Sequence, residues 1–190
     1  MDDDLGYTPL LSEMKSFPIN PDKNTVENCK EKVRKNADLL ILIVGTRYGS
    51  IDLETDKSIT NLEYETAKRK GIPIYVFIDK QVINLLPTWK ANPDADFSNT
   101  VDTTKLFEFV DKIRNTEGIW TFPFEKAVDI IGTLRHQLAH LFLESIQLRE
   151  KFTAGGKLPA HLARAKTRSA PNCVGKAYSL GISIIPSILD

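Results

Sequence analysis

The chain has 190 residues, 42% of them hydrophobic, and its 25 basic and 25 acidic side chains leave a formal net charge of zero. That length suits one domain with a tail and the apolar share is ample for a core, while the charge balance makes nucleic acid unlikely and gives no electrostatic reason for a membrane-surface partner. No stretch has the length of a membrane span, Met1 is followed by three aspartates instead of a leader pattern, and Cys29 and Cys173 match no zinc spacing, so the sequence predicts a cytoplasmic protein with reduced thiols.

Residues 5–11 read as a short strand kept from the sheet centre by Pro9, which has no ladder donor. Pro18, Asn20 and Pro21 punctuate the loop that follows. Asn24 or Thr25 then caps a helix reaching about Asn36, with Val26, Cys29 and Val33 as its apolar stripe. After Asp38 comes Leu39-Leu-Ile-Leu-Ile-Val-Gly45, too short and too β-branched for a buried helix. A continuous apolar run closed by turn residues predicts a central parallel strand, buried on both faces. Residues 51–58 read as an exposed loop, 59–70 as a helix stopped by Gly71, and 72–78 as a second strong strand that tolerates Pro73 at its start. Strand, helix, strand is a βαβ unit.

Residues 79–100, with Pro87 and Pro93, predict a long irregular connection. A helix follows over 103–115, with Leu106, Phe109, Val110 and Ile113 inward and Gly118 at its end. Pro123 marks 119–124 as an edge strand. The longest helix spans 125–152, with Ala127, Ile131, Leu134, Leu138, Leu141 and Phe142 as its stripe. From Lys151 to Leu189 every charged residue is basic, and Gly155, Gly156, Pro159 and Pro171 interrupt the chain. The sequence therefore divides into an α/β domain over 1–152 and a basic, loosely packed tail over 153–190, whose apolar end has no visible partner. A doubly wound sheet usually starts on a strong apolar strand. This chain opens on a weak one, as though a strand and a helix had been removed from its front.

Ligands of open α/β sheets bind at the carboxyl ends of the strands. That puts Thr46, Arg47, Tyr48 and Ser50, after the central strand, at a candidate site. Arg47 suits an anion and Tyr48 suits stacking on a base, against the plainer reading of a surface arginine and a packing tyrosine. The Gly45-to-Gly49 turn is neither a Walker loop nor a dinucleotide fingerprint. Glu63, one turn into the next helix, flanks the stripe of Ile59, Leu62 and Thr66, with Glu65 the more solvated of the two. A shielded, oriented carboxylate there suits a developing sugar cation. The alternative is a capping box over Thr60-Asn-Leu-Glu63. His136 and His140 are at metal-ligating spacing with Glu144 one turn on, but three such positions span about 12 Å of helix axis and no third ligand is apparent. No metal site is predicted.

The segments Asp38-to-Ser50, Ser58-Ile-Thr-Asn-Leu-Glu63-Tyr64 and Gly71-Ile-Pro-Ile-Tyr-Val-Phe-Ile78 resemble a TIR-like family of domains of unknown function. Arg47-Tyr-Gly-Ser50 is the most specific part. Such domains stand at the front of signalling or antiviral NTPases and repeat proteins. The resemblance implies a flavodoxin-like fold, a three-layer sandwich about a mostly parallel sheet, here without its first strand. It also implies cleavage of an N-glycosidic bond of NAD or a nucleoside, with Glu63 as the helix glutamate. Thr46, Arg47, Tyr48, Ser50 and Ser58 would then bind substrate, NAD being substrate and not cofactor. The competing expectation is a non-enzymatic module that self-associates as a homo-oligomer, or an inactive fragment.

Overall fold

A computed structural model of the chain describes residues 7–10, 19–153 and 180–186. Its elements are β1 (Tyr7–Leu10), α1 (Thr25–Asn36), β2 (Leu39–Val44), β3 (Ile51–Asp52), β4 (Lys57–Ser58), α2 (Ile59–Lys70), β5 (Ile74–Asp79), α3 (Lys80–Ala91), α4 (Lys105–Asp111), β6 (Thr121–Phe124), α5 (Ala127–Thr153) and β7 (Leu180–Pro186). A π-helical turn, Lys112–Thr116, extends α4. The chain divides into two compact units, one of Met1–Ala127 with Ser179–Asp190, the other of Val128–Tyr178. No helix among the described residues is long and apolar enough to cross a membrane.

The first unit is built on a five-stranded sheet in the order β1-β7-β2-β5-β6, with every neighbouring pair parallel. It is a flavodoxin-like α/β fold. β2 is buried along its whole length, as a run without polar residues requires of a strand covered on both faces. Its alternate residues Leu40, Leu42 and Val44, with Val76 and Ile78 of β5, face one core shared with α1, α2, α3 and α4. Within that core Phe107 stacks on Trp89 and meets Phe97 edge-on. β1 and β6, which carry Pro9 and Pro123, are the two edges, where a missing donor costs least. Helix ends follow local chemistry. Asn24 accepts the Glu27 N–H at 2.8 Å to start α1, and Gly71, in the left-handed region at φ 73°, ends α2.

Three expectations change. Residues 79–100 are not all irregular, because α3 occupies the first half. Asp79 caps it by accepting the Gln81 N–H at 2.7 Å, and burial of Val82 and Leu86 outweighs the bond lost at Pro87. The loop at 51–58 folds back as the small antiparallel pair β3–β4. Most consequentially, the end of the predicted loose tail is β7, inside the sheet between β1 and β2. The place of the strand that looked missing from the front is thus filled. Residues 154–179 and 187–190 of that tail lie outside the described residues.

In the second unit, Leu134 and Leu138 of α5 are buried one turn apart, while Phe142, Leu143 and Ile146 further along are exposed. The predicted stripe therefore holds at its centre and fails at Ala127 and Phe142, both exposed.

Candidate functional site

The loop after β2 is held at three points. The Tyr48 N–H donates to Asp102 Oδ1 at 2.9 Å, Gly49 takes φ 84°, and the Ser50 carbonyl accepts the Ile59 N–H at 2.9 Å. Gly49 is in a region that side-chain-bearing residues rarely adopt. The last contact, with the pairing of Ile51 to Ser58, brings the strand-end loop to the first turn of α2. Thr46 is half-buried there, and Arg47 and Ser50 are exposed. Tyr48 is buried at 5% exposure within the core cluster. That burial favours the packing reading over base stacking.

Ser58, fully buried, is the N-cap of α2, its Oγ accepting the Asn61 N–H at 3.2 Å. The cap is therefore two residues earlier than a Thr60–Glu63 box would place it, and Glu63 is not the N3 residue of that cap. Glu63 is 6% exposed. Glu65 lies further out, ion-paired to both Lys57 and Lys112. Burial pushes the Glu65 carboxyl up, but hydrogen bonds from Lys112 and Lys57 outweigh it and the net shift is downward.

Helices α1 and α2 lie against one another, and Glu63 meets Cys29 between them, each one turn in from its helix start. The thiol donates to the carboxylate. Burial first, then the Glu63 charge and this hydrogen bond, push Cys29 from 9.0 to about 12. The unfolded thiol ionises near pH 9 and the folded one does not. This contribution to stability is therefore complete below pH 9 and lost as pH rises toward 12. Urea unfolding should show stability falling above pH 9, with Cys29→Ala flattening part of the slope. Tyr64, pushed up by burial and by donating to Glu117, supplies another part. At pH 8 the native thiol should resist a disulfide reagent that labels the unfolded chain at once.

A groove of about 290 Å³ opens between α1 and α2, lined by Lys23, Glu27, Lys30, Glu31, Arg34, Thr66 and Arg69. Hydrogen bonds from Lys23 and Lys35 hold Glu31 down at about 2. The strand-end loop and Glu63 do not line this groove. The structure thus ties Ser50, at the end of the loop that carries Thr46 and Arg47, to the start of α2 beside Ser58, and sets Glu63 against Cys29 of α1.

Two contributors were invisible in the sequence. Asp102 pins the loop from 54 residues away, with no local signal. Asn61 is buried with Oδ1 lacking a hydrogen-bond partner among the described residues, and nothing in a helical window distinguishes it from a solvated asparagine. His136 and His140 are exposed on α5, and His136 Nδ1 lies 2.8 Å from the Gly132 carbonyl. Among the described residues no three His, Cys, Asp or Glu side chains gather as a metal site.

A family model described as Domain of unknown function (DUF4062) matches residues 2–139. No curated protein and no solved structure matches the chain.

Proposed function

The chain belongs to the DUF4062 family, and we propose that it is a TIR-like domain that hydrolyses an N-glycosidic bond of NAD or a nucleoside, with Glu63 as its carboxylate. The observation carrying this reading is the burial of Glu63 at 6% exposure on a helix already capped by Ser58. Its carboxylate is thus withdrawn from most of the water that would otherwise screen its charge. Low solvation is also what makes fixed negative charge effective against a ribosyl cation.

In the reaction the bond from the anomeric carbon to the base nitrogen breaks and its electron pair leaves with the base. Water adds to the anomeric carbon and releases a proton. Glu63 stabilises the cation or attacks it, Cys29 orients the carboxylate, and Arg47 and Ser50 hold phosphate or ribose. Thr46 lines the same loop, while Tyr48 and Ser58 keep loop and helix in place. The test is turnover of NAD, and of purine and pyrimidine nucleosides, by the purified chain and by Glu63→Gln. Equal activity, or equal inertness on every substrate, would remove Glu63 from the chemistry.

A further inference from the structure

The groove between α1 and α2 has no part in the reaction proposed for Glu63, yet its walls are pinned at several points. Glu63 meets Cys29 between the two helices. Further along, Lys70 Nζ donates to the Val33 and Ala37 carbonyls and ties the end of α2 to the end of α1. The turn that carries Lys23 is fixed by the buried Asn28, whose Nδ2 donates to the Asn20, Lys23 and Asn24 carbonyls at 3.1, 3.0 and 3.1 Å. Thr66 is 6% exposed, and its hydroxyl donates to the Leu62 carbonyl at 2.7 Å and accepts from Arg69 Nη2 at 3.4 Å. The groove is therefore formed before any ligand arrives, and little ordering opposes binding there.

Its charges are unbalanced. Lys23, Lys30, Arg34 and Arg69 line it against two carboxylates, Glu27 and Glu31, which leaves two positive charges in excess. Glu31 is already shared by Lys23 and by Lys35, which lies outside the lining. Among the described residues Lys30 and Arg69 take part in no ion pair. A terminal phosphate carries a charge of about −1.5 to −2 at pH 7 and three strong acceptor oxygens, so it answers both the excess charge and the spare donors. A planar guanidinium such as that of Arg69 can meet two phosphate oxygens at once. The volume of about 290 Å³ is at the small end of the range for ligand sites, roughly 300–1,000 Å³, and suits a compact molecule. We infer that this groove binds a small phosphorylated metabolite, a phosphate monoester or a diphosphate, between Lys30 of α1 and Arg69 of α2.

Isothermal titration of the full chain with pyrophosphate and with ADP, at about 50 mM salt, tests this. At least one should bind, and binding should weaken as salt is raised to about 300 mM. Lys30→Gln combined with Arg69→Gln should weaken it by about tenfold or more. Arg135→Gln, at an exposed position on α5, should leave it unchanged. Glu27→Gln removes a carboxylate from the groove and should tighten binding severalfold, a gain that misfolding cannot mimic. These readouts need no turnover, so they judge the groove separately from the role of Glu63. Failure of both compounds to bind overturns the inference. So does binding indifferent to the double variant and to Glu27→Gln, or citrate binding as tightly as pyrophosphate.

Discussion

Phe107→Ala is expected to lower the unfolding free energy by about 3–5 kcal/mol, the range for removing a wholly buried phenylalanine. Phe107 has no exposed surface, and its ring lies 5.7 Å from that of Trp89 and 5.3 Å from that of Phe97, centroid to centroid. These three side chains come from α4, α3 and the connection between them. No single element can close the hole left by the ring without moving the other two, so relaxation recovers little of the loss. Each kcal/mol lowers the melting temperature of a domain this size by roughly 2–4 °C, so the total shift is large enough to read by thermal unfolding or by the urea midpoint. Trp120→Ala is the control. Trp120 is 78% exposed, and its loss should cost no more than about 0.5 kcal/mol. A Phe107→Ala loss below about 1 kcal/mol would mean that this aromatic joint does not hold α3 and α4 to the sheet.

The same joint shows why part of the fold could be read from the sequence and part could not. β2, α2 and β5 were legible because their signals are local: an unbroken apolar run, a left-handed glycine stop, a second run after Pro73. The α3 segment was not, because Pro87 reads as a breaker and the burial that offsets it, Val82 and Leu86 in the core and Trp89 stacked on Phe107, depends on residues distant in sequence. β7 is the extreme case. Its residues have the composition of a buried strand, but both partners precede it by well over a hundred residues. A pattern read in a window of ten cannot supply a pairing that only the closed sheet defines.

The site divides along the same line. The exposed Arg47 and Ser50, and the more solvated placement of Glu65 than Glu63, follow from strand end and helix phase. The helix start at Ser58 does not, because Thr60 fits the cap pattern equally well until the Ser50 carbonyl engages the Ile59 N–H. Nor does the partner of Glu63. Cys29 looks like an ordinary core residue of α1 until the two helices are laid side by side.

That partnership shapes the second prediction. Glu63→Gln preserves the volume of the side chain and leaves a carbonyl to accept from the Cys29 thiol, so stability should change by no more than about 1 kcal/mol. The negative charge is lost, and with it the electrostatic stabilisation of a ribosyl cation. If the proposed chemistry holds, turnover should fall by about 100-fold or more, as when a charge-stabilising group is removed from a water-poor site. The effect should fall on kcat rather than on KM, because an uncharged anomeric carbon in the ground state gives the carboxylate little to bind. Cys29→Ser, which keeps a donor to Glu63, should retain most activity. Cys29→Ala should lose more, with a shifted pH profile, as expected of a residue that orients the carboxylate without touching substrate. A Glu63→Gln variant that unfolds would assign the carboxylate to the packing of α1 on α2. One that stays folded while its turnover matches that of the unsubstituted chain would take Glu63 out of the reaction.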